Sequence, residues 1–113
     1  TKDEQNETID FLEKKYGKLS VEYNLFVGLC DMTTFYAKNS NVFKGTAVIN
    51  GKTYLNITYQ FMAEILSSNE HTVKHAIRKC EKQGIIEVRT EKGYRSKLIR
   101  PLSRHEMLSV EGE

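Results

Sequence analysis

The sequence predicts an α+β fold in which helices dominate the first three quarters and a hairpin of short strands follows. Three observations carry that expectation. Apolar residues recur at helical spacing in four segments before residue 84. Two β-rich runs, Ile85 to Thr90 and Lys97 to Leu102, come next, with a glycine in the connection between them. Asn50-Gly51, a dipeptide suited to a two-residue hairpin turn, lies within an extended stretch in the middle of the chain.

Taken in order, KDEQNETIDFLEKKYG is acidic at its start and spaces Ile9, Leu12 and Tyr16 along one side, with Gly17 to stop it. It reads as a short helix with a narrow apolar stripe, which must dock on its own domain or on a second copy. Ser20 is an N-cap with Glu22 in the first turn of the next helix. Leu25, Phe26, Leu29, Met32, Phe35 and Tyr36 make that helix the main scaffold, and NSNVFKG breaks it. AVINGKTYLNI is extended, with a strand from Tyr54 to Ile57 after the turn. Thr58 caps a helix whose apolar positions are Phe61, Met62, Ile65 and Leu66. After a three-residue connection, Ser67 to Asn69, the Asn69 cap opens EHTVKHAIRKCEKQ, which stops at Gly84. The two terminal strands are joined by EKGYRS, and Pro101 near the end of the second marks it as an edge strand.

Composition narrows the function. With 113 residues, 39% hydrophobic and 28% charged, the chain supports one core and is not a disordered polyelectrolyte. Cys30 and Cys80 are fifty residues apart and form no CxxC, so neither a disulfide framework nor a zinc knuckle is expected. Both fall among apolar residues and read as packing groups. No run reaches membrane-spanning length and no signal-peptide core is present, so a cytoplasmic protein without membrane contact is expected. There is no GxxxxGK[ST], no GxSxG and no carboxylate pair in an apolar setting. The expectation is therefore a protein with no enzymatic activity, cofactor or small-molecule substrate.

Charge is distributed unevenly. Residues 70 to 105 hold ten Lys and Arg against four Glu, giving +6, whereas residues 1 to 69 hold seven bases and eight acids, giving −1. Such asymmetry marks a polyanion-binding face. On a helical wheel of residues 70 to 83, Val73, Ala76, Ile77 and Cys80 form one face and His71, Lys74, His75 and Arg78 the opposite one. Two helices joined by so short a connection must cross steeply and share a core, which is helix-turn-helix geometry. The second helix of that motif presents its face to the DNA major groove, where Arg and Lys suit guanine edges and phosphates and Thr72 suits a phosphate. Lys79 extends the same basic helix. Lys92, Tyr94, Arg95 and Lys97 gather around Gly93 as the tip of a basic wing along the flanking backbone. His71 and His75 at i and i+4 lack the HExxH order and a third ligand, so hydrogen bonding to bases or phosphates is preferred over metal. The aromatics Phe26, Phe35, Tyr36, Phe43, Tyr54 and Phe61 lie mostly on apolar helix faces and read as core rather than as a stacking platform, Tyr94 being the exception.

ITYQFMAEILSSNEHTVKHAIRKCEKQGIIEV also resembles the winged helix-turn-helix pattern, with Thr72-Val73, Ala76-Ile77 and Gly84-Ile85-Ile86 on its marks. Cys80 departs from the usual leucine, and Asn69 stands where serine is more common. A longer likeness runs from Lys18 to Leu102. KLSVEYNLFVGLCDMTTFYAKN and NGKTYLNITYQFMAEIL are similar to the N-terminal DNA-binding domains of plasmid replication initiators and phage replisome organisers of Gram-positive bacteria, matching at Leu19-Ser20, Gly51 and Tyr54. The resemblance implies a replicon function.

The expected organisation is a helical extension over 1–18, a winged helix domain over 19–105 and a tail over 106–113. The expected partner is double-stranded DNA, with helix 70–83 in the major groove and hairpin 85–102 on the backbone. A homodimer through the first helix would suit repeated sites. A transcriptional regulator or conjugation accessory protein of a mobile element is the alternative, and a module that binds an acidic protein is the third.

Overall fold

The computed structural model describes residues 2–111, with side chains described over 3–108. It is an α+β arrangement with five helices and one four-stranded antiparallel sheet among the described residues. The helices are α1 (Lys2–Tyr16), α2 (Val21–Lys38), α3 (Tyr59–Ile65), α4 (Glu70–Lys82) and α5 (Arg104–Glu111). The strands are β1 (Thr46–Ile49), β2 (Lys52–Leu55), β3 (Ile86–Arg89) and β4 (Leu98–Pro101). They lie in the order β1-β2-β4-β3. No described helix is long and apolar enough to cross a membrane.

Local chemistry explains the boundaries. Ser20, Thr58 and Asn69 each accept a hydrogen bond from the backbone N–H three residues on, capping α2, α3 and α4. Asn50 and Gly51 both take positive φ, 52° and 79°, the conformation of a type I′ turn. That turn pairs Ile49 with Lys52, so β2 covers residues 52–55 rather than the expected 54–57. Leu66 leaves the helix as the α3 C-cap, so the connection to α4 is four residues rather than three. Ser67 follows at φ 52°, and Ser68 donates its N–H to the Ala63 carbonyl at 2.8 Å. This is a Schellman closure with a side chain where glycine is preferred. Ser67→Gly is expected to stabilise the fold by about 0.5–1 kcal/mol, because relief of the left-handed backbone outweighs the extra chain entropy of glycine. A urea midpoint equal to or below that of the parent protein would refute this.

The core lies between the helices and one sheet face. Leu12, Phe26, Leu29, Leu55, Met62, Ile77, Cys80 and Ile99 are all buried within it. Leu12 belongs to α1, which packs on α2 and α5. The stripe of the first helix is therefore satisfied by its own chain, and the proposed extension is continuous with the domain. Residues 104–111 form α5, with Met107 buried in the core and the Arg104 N–H bonded to the Thr8 hydroxyl at 2.9 Å. Residues 112–113 of the expected tail lie outside the described residues.

Pro101 is not on an edge strand, because β4 lies between β2 and β3. It is tolerated as the last residue of β4, beyond the single bridge to β2 at Leu55–Ile99. The outer sheet face carries a smaller cluster of Ala47, Tyr54 and Leu98. Arg89 and Arg100 each lie 5.6 Å from the Tyr54 ring centroid.

Candidate nucleic-acid interface

Helix α4 is anchored by one face and bare on the other. Val73, Ala76, Ile77 and Cys80 are buried, while His71, Thr72, Lys74, His75 and Arg78 are exposed. Hydrophobic burial thus fixes the rotation of the helix and leaves its polar side to solvent. The expected base-contacting residues lie on that side, at one-turn spacing.

One cleft borders this face and a second adjoins the first. The first, about 300 Å³, is lined by Lys74 and Arg78 of α4, Thr58 and Tyr59 at the start of α3, and Ser96 and Lys97 before β4. Its single acid is Glu70. The second, about 530 Å³, is lined by Tyr94 and Arg95 of the hairpin, Phe61 of α3, and Tyr36, Phe43 and Lys44 across from them. Ile57, Thr58 and Ser96 line both, so the two clefts are contiguous. Lys92 is exposed beside Gly93 but lines neither.

The ten bases of residues 70–105 divide into two sets. Lys74, Arg78, Lys82, Lys92, Arg95 and Lys97 make no ion pair among the described residues and are exposed, Lys82 as the last residue of α4 and outside both clefts. By contrast, Arg89 pairs with Glu91, and Arg100 pairs with Glu87 and Glu106. Arg104 stacks over the Phe11 ring at 3.8 Å. Lys79, grouped with the binding residues on sequence grounds, reaches the nearly buried Glu22 of α2 at 3.3 Å. Its charge is therefore engaged in holding α4 to α2. Glu22 lies 57 residues away in sequence, so only the fold reveals this pairing.

Burial pushes the Cys80 thiol up to about 12 and the Cys30 thiol to about 11, so neither supplies a thiolate at neutral pH. Burial first, and then the nearby Glu81, raises the Tyr59 phenol as well.

The aromatics require a partial correction. Phe26, Tyr36 and Tyr54 are buried as expected, but Phe35, Phe43 and Phe61 are exposed. Helical spacing gave no warning for Phe61, because α3 has only seven residues and buries just Met62 and Ala63. Comparison with family models, curated proteins and solved structures finds no match to this chain.

Proposed function

We propose that this chain is a winged helix-turn-helix domain that binds double-stranded DNA without catalysis. In this reading α4 enters the major groove and the β3–β4 hairpin is the wing on the flanking backbone. The observation that carries it is the cleft where Lys74, Arg78 and Lys97 converge from two elements with one acid beside them. Cations from a helix and a hairpin meeting without carboxylate partners create a site for phosphates. The order α3, short turn, α4, hairpin also fits a motif whose second helix reads base edges.

The roles follow from reach and chemistry. Arg78 and Lys74 offer donors to guanine edges, and His71, Thr72 and His75 offer hydrogen bonds along the same face. Lys92, Arg95 and Lys97 neutralise backbone phosphates, and Tyr94 packs beside them. The resemblance over residues 18–102 supports a setting in plasmid or phage replication, with the domain on repeated sites as a homodimer.

The test is fluorescence anisotropy of a labelled duplex titrated at several salt concentrations, with single strand for comparison. If Lys92, Arg95 and Lys97 alone meet phosphates the log–log salt slope should be about −3, steepening to about −4 to −5 if Lys74 and Arg78 also do so. Absence of duplex binding by folded protein at low salt would sink the reading.

A further inference from the structure

The second cleft is unsuited to an intact duplex. Phe43 is 47% exposed, Phe61 45% and Tyr94 36%, and all three line one groove. Large rings gathered at the surface mark a binding site more often than isolated exposed apolar residues do. Part of the platform is braced. Phe43 lies 6.2 Å from the buried Tyr36 and 5.9 Å from Phe35, between ring centroids. Tyr36 in turn rests against Gly45, where a Cβ would sit 2.4 Å from its ring.

The charge of the groove selects its occupant. Lys44 and Arg95 line it, and no Asp or Glu does. Asn56, Thr58 and Ser96 add hydrogen-bonding groups, and about 530 Å³ falls within the range of small-ligand sites. Rings need a π-face to stack on, and cations need an anion. A paired base hides its faces within the stack, whereas an unpaired nucleotide offers a free face and a phosphate together.

We propose that this cleft binds an unpaired nucleotide of a strand whose duplex portion lies on the adjoining Lys74–Arg78–Lys97 cleft. The inference rests on the duplex-binding reading and extends it to a duplex–single-strand junction. Phe43 and Phe61 hold the base and Lys44 its phosphate, while Tyr94 and Arg95 of the wing, on the flanking backbone in the duplex reading, border the groove where the strand leaves the duplex. The residues common to both clefts let one strand pass from the first to the second without leaving the protein.

The experiment compares a labelled blunt duplex with the same duplex carrying a short thymine overhang, in either polarity, at fixed salt. The overhang should tighten binding about tenfold. Phe61→Ala and Phe43→Ala should each remove that gain and keep blunt-duplex affinity, while Phe61→Tyr keeps the gain. Circular dichroism would establish that each variant is folded. Equal affinity for blunt and overhang DNA would overturn this inference and leave duplex binding standing. An overhang gain that survives both alanine variants would also overturn it. No binding to either DNA would overturn the duplex reading beneath it. A dimer in sedimentation that Phe61→Ala dissociates would assign the rings to a second copy instead.

Discussion

Replacing Lys74, Arg78 and Lys97 together by alanine is expected to lower duplex affinity by on the order of a hundredfold at moderate salt. The three side chains line one cleft from two separate elements, and none forms an ion pair among the described residues. Their charge is therefore available to a partner. Each lost phosphate contact should flatten the log–log salt slope by about 0.9. The single variants separate the roles. Arg78→Ala should cost about 1–3 kcal/mol and reduce discrimination between sequences, as expected of a base-reading group. Lys97→Ala should weaken all sequences alike. A triple variant that keeps both the affinity and the slope of the parent would remove this cleft from the interface. Because the three side chains are exposed on one surface, urea denaturation should report little change in stability.

Much of the frame behind this prediction was legible along the chain. Ser20, Thr58 and Asn69 announce three helix starts, and Asn50-Gly51 announces the hairpin turn. These signals are local, since a cap or a turn is decided within four residues. The amphipathic pattern of α4 is equally local, which is why its buried and exposed faces follow the helical wheel. Long-range pairing was not legible. Lys79 looks free until the fold brings Glu22 beside it. The role of Pro101 was misjudged because strand order is a property of the sheet, and only the β2–β4 bridge makes β4 central. One missed signal was local. Ser103 and Glu106 exchange bonds, with the Ser103 N–H to the Glu106 carboxylate at 3.0 Å and the Glu106 N–H to the Ser103 hydroxyl at 3.2 Å. That capping box was readable as S-R-H-E and marks the start of α5. The exposed aromatics show a different limit. Periodicity assigns Phe61 and Ile65 to an apolar side, but a helix of two turns cannot bury all of it.

Arg100→Met should be the most destabilising of the charge substitutions, at about 2–3 kcal/mol. The Arg100 side chain is 13% exposed on the outer sheet face, where its guanidinium reaches Glu106 at 2.7 Å and Glu87 at 3.0 Å. Glu87 also accepts from the Tyr54 hydroxyl at 2.9 Å, so the cluster joins β2, β3, β4 and α5. Removing the arginine leaves two carboxylates facing the methionine. Both are about a third exposed, which moderates the cost relative to a fully buried pair. Acid should reveal the same contact. Hydrogen bonding to Arg100 first, and to the Ser103 backbone second, holds the Glu106 carboxyl at about 2 against an ordinary 4.5. A carboxyl lowered in the folded state adds stability that is fully present above pH 4.5 and lost as the pH falls toward 2. Urea midpoints of the parent should therefore drop through that window, and those of Arg100→Met should start lower and fall less. A variant with unchanged neutral stability and an unchanged acid limb would show that the cluster holds nothing together. Arg89 and Arg100 contribute to the +6 of residues 70–105, yet both are committed to carboxylates of the fold. The salt slope of folded Arg100→Met should consequently match that of the parent, whereas loss of the cleft cations flattens it. The bases of residues 70–105 thus divide between charges committed to contacts within the fold and charges that face solvent.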